Sequence, residues 1–177
     1  EVLQDILTQR TPVAMALRDW AKAHRFAGSK DRAAIGNIVY DALRQRSSFA
    51  FRMDDDSPRA LALAAAVWGC GVSLEQLEFD KDDKHSPAAL TDNERANISG
   101  RIDITSAPDW VQADVPEWIW PSFENNFTDD AIAEGQALAK RPPLDMRVNA
   151  LKAKRSDIAS GAKPTPLSPV GLRYPPI

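Results

Sequence analysis

Several residue types and motifs that carry chemistry in other proteins are scarce or missing from this sequence. The single cysteine, Cys70, excludes an internal disulfide and is typical of a reducing compartment. The two histidines, His24 and His85, have no cysteine neighbours, so we expect no metal site. Glycine-rich nucleotide loops, nucleophile elbows and zinc-protease motifs do not occur. A catalytic centre is therefore not expected in this chain, and binding is the better-supported role.

Long apolar runs are missing as well. No stretch approaches the roughly 20 apolar residues that a membrane span requires, and the first residues lack the pattern of a secretory signal. We therefore expect a cytoplasmic protein without membrane contact. We also expect the protein to be monomeric. Its 177 residues suffice for one domain and part of another. Because a new strand pattern begins just before Ile177, we expect the chain to be a piece of a longer protein.

Charge is distributed unevenly along the chain. Residues 1–53 contain nine basic and five acidic side chains, residues 54–135 contain five and eighteen, and residues 136–177 contain eight and two. Basic ends and an acidic middle allow one surface to bind a polyanion while the protein stays soluble. Solvated helix faces would produce the same composition, so charge alone leaves both interpretations open.

Residues 11–53 are the most informative stretch and predict two amphipathic helices joined by a glycine-containing turn. Thr11 and Pro12 are suited to the start of the first helix, and Gly28 follows its end. Ser29 and Asp31 are suited to the start of the second. We expect the apolar faces of the two helices to pack against each other. The second helix should present Asn37, Tyr40, Asp41, Arg44 and Ser48 on its polar side.

Further helix signals follow on both sides of this pair. Residues 2–9 predict a short covering helix, and Ser57-Pro58 predicts the start of an alanine-rich helix that ends at Gly69 and Gly71. Ser73 with Gln76, and Thr91 with Glu94, have the spacing of capping boxes, the second opening a helix to about Ile102. We expect exposed loops over residues 78–90 and between Pro108 and Pro116. Two more helices are predicted after Pro116 and after Thr128.

The pattern changes at Arg141-Pro142-Pro143, and we place a domain boundary at about residue 140. Leu144, Met146 and Val148 alternate with polar residues, as in a half-buried strand. A short helical stretch around 155–159 and a final loop and strand follow. The fold class predicted is mainly α: a helical bundle over 1–139, then the start of a small α/β domain over 140–177.

The candidate binding residues are basic. Arg18, Lys22 and Arg25 form one row on the first helix, Lys30 and Arg32 lie past the turn, and Arg44 lies on the second helix. Such groups match phosphate oxygens. By helical phase, Arg46 falls near the middle of the apolar face of the second predicted helix. Either that helix ends nearby and frees Arg46, or its guanidinium needs a buried acceptor.

Other residues with possible chemistry have more ordinary explanations. His24 should be a structural histidine, and Cys70 a buried small hydrophobe rather than a nucleophile. Residues 54–56, three aspartates, are better explained as a solvated linker than as a calcium loop. The aromatic residues Trp110, Trp118, Trp120 and Phe123 could stack on bases, but core packing is the ordinary explanation.

Three segments together resemble the N-terminal half of the bacterial RsmB/Sun proteins of the NOP/Sun family. They are DWAKAHRFAGSKDRAAIGNIVYDALRQRSSFAFRM, RPPLDMRVNALKAKR and PTPLSPVGLR. Members of this family are S-adenosylmethionine-dependent ribosomal RNA methyltransferases that modify carbon 5 of cytosine. The resemblance covers most of residues 11–53 and 140–177 and is weaker between them.

The resemblance implies a NusB-like helical domain over 1–139 and the beginning of an RRM-like domain over 140–177. The family's S-adenosylmethionine loop and its two catalytic cysteines have no counterpart here, so Cys70 inherits no catalytic role and this portion by itself is not an enzyme. What transfers is the binding of ribosomal RNA. The residues expected to contact it are Arg18, Lys22, Arg25, Lys30, Arg32 and Arg44, then Arg147, Asn149, Lys152 and Arg155.

The alternative is a non-enzymatic NusB-like module that binds RNA and protein, as an antitermination or ribosome-assembly factor would. Such a module should end near residue 140, whereas this chain begins a strand there. A protein-interaction scaffold without an RNA role is a third possibility, and it predicts no salt-dependent binding.

Overall fold

The computed structural model describes residues 1–79, 86–158 and 161–176. The chain forms two compact units, Glu1–Ala139 and Lys140–Ile177, which we call the helical unit and the sheet unit. The division lies where the sequence composition changes. The fold is mainly helical, with one small antiparallel sheet.

Within the described ranges, the α-helices all lie in the helical unit. In chain order they are α1 (Val2–Gln9), α2 (Val13–Ala23), α3 (Ser29–Arg44), α4 (Arg46–Met53), α5 (Pro58–Ala64), α6 (Asp92–Ile98), α7 (Asp109–Gln112), α8 (Trp120–Phe127) and α9 (Ala131–Ala139). A π-helical turn (Ala65–Gly69) extends α5. The 3-10 turns are Glu75–Leu77, Ile104–Ser106, Glu117–Ile119, Thr128–Asp130 and, in the sheet unit, Arg155–Asp157.

Helix α5 lies at the centre of the core. It begins as the sequence predicts, because Pro58 occupies the first turn and the Ser57 hydroxyl oxygen accepts the Ala60 N–H at 3.2 Å. The helix packs against α1, α3 and α4, and Leu61 is completely buried. Burying a leucine side chain contributes roughly 1.5–3 kcal/mol to stability. The small alanines around it allow the neighbouring helices to approach closely.

The prediction of two long helices over residues 11–53 is wrong in three respects. The second helix breaks at Gln45 into α3 and α4, which leaves Arg46 half exposed at 3.8 Å from Asp56. The first begins at Val13 after Pro12, and Thr11 makes no side-chain cap. The two helices also do not pack mainly against each other. Helix α2 packs against α1, and α3 packs against α5 and the π-helical turn.

The polar face predicted for the second helix is wrong at two positions. Asp41 is 4% exposed and Ser48 is 9% exposed, so both point inward. The Asp41 side chain packs directly against Gly69, where an added Cβ would lie only 3.0 Å from it. The Asp41 carboxylate accepts a hydrogen bond of 3.2 Å from the Arg44 guanidinium. Cys70 lies 3.8 Å from the same carboxylate and is exposed, not buried as expected.

Both predicted capping boxes are present. Ser73 and Gln76 bond reciprocally but support only a 3-10 turn. The Thr91 and Glu94 pair starts α6, which ends at Ile98 rather than at Ile102. Hydrogen bonds from Arg59 and Thr91 outweigh burial and lower the pKa of the Glu94 carboxyl.

Two predictions about loops and one about packing need correction. The segment between Pro108 and Pro116 contains α7. In the predicted loop over 78–90, Leu90 is buried, and residues 80–85 lie outside the described residues. Helix α8 has no buried residue, and Trp118, just before it, is 81% exposed. Core packing is therefore wrong for Trp118, whereas Trp110, Trp120 and Phe123 are half-buried.

Asp114 ties the α7 region to α4. Its carboxylate accepts the Ser48 N–H at 2.8 Å and the Ser48 hydroxyl at 2.6 Å. Ser48 is the third residue of α4, and its N–H has no partner within the helix. Asp114 adopts a left-handed backbone conformation with φ 53° to reach it. Burial raises the pKa of the Asp114 carboxyl, although the bonds from Ser48 favour its charged form.

The sheet unit contains β1 (Leu144–Arg147), β2 (Lys163–Pro164) and β3 (Gly171–Tyr174), in the order β1-β3-β2 with both pairs antiparallel. Its small core includes Val148 and Leu172. Leu144 and Met146 are exposed, so the predicted half-buried strand is wrong for these two side chains. The predicted short helix around 155–159 is a single 3-10 turn in its described part.

An ion pair and a glycine set the register of the sheet. The Arg173 guanidinium donates two bonds of 2.7 Å to the carboxylate of its cross-strand partner Asp145, and it lowers the pKa of that carboxyl. Gly171 must lack a side chain, because a Cβ there would collide with Thr165 Oγ1. Pairing on β3 is therefore fixed at two nearby positions of the strand.

Asp114→Ala should lower the free energy of unfolding by about 1–3 kcal/mol, because it removes the acceptor of a buried N–H and a buried hydroxyl. Asp114→Asn should cost less, since asparagine keeps one acceptor oxygen and tolerates positive φ. Urea unfolding measures both. Equal stability of Asp114→Ala and the natural chain would contradict the proposed role of this bond.

The pH dependence of these variants gives a second measurement. A raised pKa means that the folded protein binds more protons than the unfolded one between the ordinary value of 3.8 and the folded value. The stability contributed by this carboxyl therefore falls as pH rises through that window. The free energy of unfolding of the natural chain, minus that of Asp114→Asn, should decrease from pH 3.8 upward. An increase would contradict a raised pKa of the Asp114 carboxyl in the folded protein.

Candidate nucleic-acid interface

Five of the predicted basic residues lie along α2, the turn after it and the first residues of α3. We call this surface the basic corner and define it by Arg18, Lys22, Arg25, Lys30 and Arg32. Helix α2 ends at Ala23, and the Ala27 N–H returns to the His24 carbonyl at 3.0 Å. The Gly28 N–H then donates to the Asp31 carboxylate at 2.9 Å and starts α3. The cations are thus carried by two helix ends joined by a tight turn.

His24 braces this turn, as expected of a structural histidine. Its ring stacks on Trp20 at 4.4 Å between centroids, and Nδ1 lies 2.9 Å from the Trp20 carbonyl oxygen. The carboxylate of Glu1 lies 3.4 Å from His24 Nε2 and accepts the Trp20 indole N–H at 3.0 Å. These contacts hold the end of α2 against the start of α1.

Arg18 and Lys22 share one carboxylate. Asp19 Oδ1 lies 3.1 Å from Arg18 Nε and 3.4 Å from Lys22 Nζ. The hydrogen bond from Arg18 lowers the pKa of the Asp19 carboxyl. All three side chains are more than half exposed, so these ion pairs are weak and exchangeable. The row retains one net positive charge even when both pairs are formed.

Arg25 and Lys30 are exposed, and within the described ranges no carboxylate pairs with either side chain. Arg32 is exposed too, but its Nε donates to the Ala27 carbonyl at 3.0 Å and so helps to close the turn. The remaining guanidinium N–H groups of Arg32 still have donor capacity. The turn therefore concentrates the cations that are most available to an anion.

Phe26 is a residue that sequence reasoning missed, because the segment 26–28 was interpreted only as a helix end. The side chain is 85% exposed between Arg25 and the first residues of α3. Its ring meets the edge of His24 at 5.7 Å. An exposed aromatic ring among cations is a typical platform for an unstacked base. The signal in the sequence was an aromatic residue in a turn flanked by basic residues.

Arg44 does not belong to the basic corner. It lies at the other end of α3, bonded to the buried Asp41 and 5.5 Å from the centre of the Tyr40 ring. Other cations of the helical unit are paired in the same way. Arg46, Arg59 and Arg95 lie 3.8, 2.7 and 2.6 Å from carboxylate oxygens of Asp56, Glu94 and Glu78. Within the described residues, local pairing therefore neutralises most of the cations of this unit that lie outside the basic corner.

The four candidate residues of the sheet unit have mixed roles. Arg147, at the end of β1, and Lys152 are exposed and suited to phosphate contact. The Asn149 side chain accepts the Leu151 N–H at 3.1 Å and shapes the turn after β1. Arg155 donates to the Ser168 carbonyl at 3.0 Å and joins two loops. Asn149 and Arg155 therefore support the structure of this unit.

Comparisons of the chain with protein-family models, with curated proteins and with solved structures find no match. Among the described residues, no cluster of three or more His, Cys, Asp or Glu side chains is arranged to hold a metal ion. In the same residues, no helix combines the length and the apolar character needed to cross a membrane. The arrangement of the basic corner is thus the observation from which a function is argued.

Asp19→Asn should strengthen binding of a single-stranded oligoribonucleotide several-fold at low salt, because it releases Arg18 and Lys22 from their shared carboxylate. Fluorescence anisotropy with a labelled oligonucleotide measures the affinity. Asp5→Asn is the matched control, since it removes one carboxylate from α1, outside the basic corner. An equal gain in both variants would mean that net charge alone acts and would remove Arg18 and Lys22 from the site.

Proposed function

We propose that this chain is the RNA-binding N-terminal region of an S-adenosylmethionine-dependent ribosomal RNA (cytosine-5-)-methyltransferase. In this role it positions ribosomal RNA for a catalytic domain that carries the cofactor and the reactive cysteines. The observation that carries the proposal is the basic corner: five cations and the exposed ring of Phe26 on two consecutive helix ends.

The electrostatics of the basic corner favour a polyanionic ligand. Asp31 is engaged at the Gly28 N–H, and Asp19 is shared by two cations. Arg25 and Lys30 remain for phosphate contacts, which give salt-sensitive and largely sequence-independent affinity. Such affinity suits a region that holds an RNA while another domain selects the base.

The resemblance to the NOP/Sun family supports the same assignment, since its longest segment includes four of the five cations of the basic corner. In that family the reaction begins with attack of a cysteine thiolate on carbon 6 of cytosine, followed by methyl transfer to carbon 5. Cys70 has no such role in this proposal, because it lies at the end of the π-helical turn beside Asp41. The contribution of this chain is delivery of the RNA.

The sheet unit supports an RRM-like second domain. Strand β3 lies between β1 and β2 and is antiparallel to both, so β1 and β2 run parallel and are joined by a crossover. This strand order matches the first three strands of a split β-α-β unit, and the described part of the β1–β2 connection contains the 3-10 turn Arg155–Asp157 where that unit has a helix. Exposed Arg147 and Lys152 would add phosphate contacts. The alternative function, a free-standing NusB-like module, does not account for the presence of the sheet unit.

The double variant Arg25→Glu and Lys30→Glu should weaken oligoribonucleotide binding by tenfold or more at low salt. It should also reduce the slope of log affinity against log salt by about 0.7 for each phosphate that the protein no longer neutralises. Both side chains are exposed, so the circular dichroism spectrum and the melting temperature should be unchanged.

Arg10→Glu is the matched control for this double variant. Arg10 is exposed and precedes α2, at the opposite end of that helix from Arg25, roughly 16 Å along its axis. Its reversal should leave the affinity nearly unchanged. If the double variant bound RNA with unchanged affinity and salt slope, the proposed function would be wrong.

Phe26→Ala should weaken binding of single-stranded RNA by about 1–3 kcal/mol, the value of one base stacked on an aromatic ring. Binding of double-stranded RNA should change much less, because its bases stay within the helix. Competition between the two RNAs in an anisotropy titration measures the difference. Equal effects on both would show that Phe26 acts through the structure of the turn and does not stack on a base.

A further inference from the structure

A second surface of the helical unit lies on α8 and the 3-10 turn before it. The rings of Trp120, Phe123 and Phe127 follow one another with centroid separations of 6.0 and 4.6 Å. Trp118 is 81% exposed and Phe127 is 39% exposed. We call these four side chains the aromatic face. Exposed apolar surface of this kind marks interaction sites in soluble proteins.

The aromatic face is held outward by the way the α8–α9 pair is attached. Contact with the rest of the unit is made by α9, in which Ala131 and Gly135 are buried. A Cβ at Gly135 would lie 2.6 Å from the Ala113 carbonyl oxygen, so α9 approaches the end of α7 as closely as a backbone can. Gln136 Nε2 also donates to the Gln112 carbonyl at 3.1 Å. Helix α8 packs on α9 and leaves Phe127 exposed, with Trp120 and Phe123 half-buried.

The charged residues of the sequence segment that carries the aromatic face all have one sign. Between Arg101 and Lys140 the sequence has eight acidic residues and no lysine or arginine. The exposed acidic residues of this stretch include Asp109, Glu117, Glu124, Asp129, Asp130 and Glu134. A negative surface repels the phosphates of nucleic acids and of anionic lipids, and attracts cationic groups. A second copy of the chain docking on this face would also be repelled, because it would bring the same carboxylates against those of the first copy.

From this complementarity we propose that the aromatic face docks a basic amphipathic segment of a partner protein. Apolar side chains of the segment pack on Phe123 and Phe127, as an amphipathic helix packs in an apolar groove. Its lysines and arginines meet the exposed acidic residues of this segment, and one of them lies over the Trp118 indole as a cation–π contact. Exposed tryptophans of this kind supply much of the affinity of protein interfaces. The proposal does not depend on RNA binding at the basic corner.

The test is a titration of the 177-residue chain with a synthetic peptide that carries leucines at helical spacing and lysine and arginine elsewhere. The peptide should bind saturably, and Trp118→Ala should weaken it by about tenfold or more. Glu117→Lys with Glu124→Lys should weaken it similarly and reduce its salt dependence. Because Trp118 is 81% exposed, its replacement leaves the fold intact, which circular dichroism verifies.

Phe26→Ala is the matched control, because Phe26 is also a highly exposed aromatic residue, at 85%. It should leave peptide affinity unchanged, whereas Trp118→Ala should leave oligoribonucleotide affinity unchanged. A peptide of the same composition in scrambled order should bind at least about tenfold more weakly. This crossed design separates failure of the docking proposal from failure of the RNA-binding proposal.

Four results would overturn the docking proposal. The first is equal binding of the ordered and scrambled peptides, which would reduce the interaction to charge alone. The second is unchanged peptide affinity in Trp118→Ala. The third is loss of RNA or anionic-vesicle binding in that variant, which would assign the aromatic face to those ligands. The fourth is a concentration-dependent dimer in sedimentation that Trp118→Ala abolishes.

Discussion

The close packing of the alanine-rich helix α5 is the constraint on which the helical unit depends. Three of its seven residues are alanines, and α1, α3 and α4 all pack against it. The π-helical turn continues this surface, and Gly69 leaves just enough room for the buried Asp41. A larger side chain at these positions would separate the helices, because a close-packed core has no spare volume. The solvent-facing surfaces of the helical unit are carried by the elements packed around α5.

Ion pairing then divides the surface of the unit into regions of different character. Arg44, Arg46, Arg59 and Arg95 each lie beside a carboxylate, and Arg52 stacks on Trp68 at 3.5 Å. What remains is the basic corner at one place and the acidic surface around the aromatic face at another. The formal charge of −3 says nothing of this separation. Surfaces of opposite charge on one small unit suit it to two ligands of different charge.

Local signals were sufficient where a few consecutive residues decide the structure. Ser57 with Pro58, and Thr91 with Glu94, start their helices as predicted because a cap involves only neighbouring backbone groups. Predictions failed where distant residues decide. The second predicted helix breaks at Gln45, and the first turn of α4 after the break is bonded through Ser48 to Asp114, 66 positions away in sequence. No periodicity in residues 29–53 contains that information.

The same reason separates the predicted and the missed parts of the candidate sites. Helical phase placed Arg18 and Lys22 on one side of α2, because residues three and four positions apart are neighbours on a helix surface. It also assigned Arg25 to this helix, but α2 ends at Ala23 and Arg25 lies in the turn that follows. The sequence could not tell that Arg44 is bonded to a buried carboxylate, since Asp41 points inward only through the packing of α3 on α5 and the π-helical turn.

The sequence by itself determined the helical class, the caps at Ser57 and Thr91, the position where the composition changes and the placement of Arg18 and Lys22 on α2. Only the tertiary structure decided which aromatic rings stay in solvent. Phe26 and Trp118 have ordinary apolar side chains, and what exposes them is the place of their backbone at the edge of the packed helices. Burial depends on contacts between elements far apart in the chain, and such contacts are not encoded in local composition.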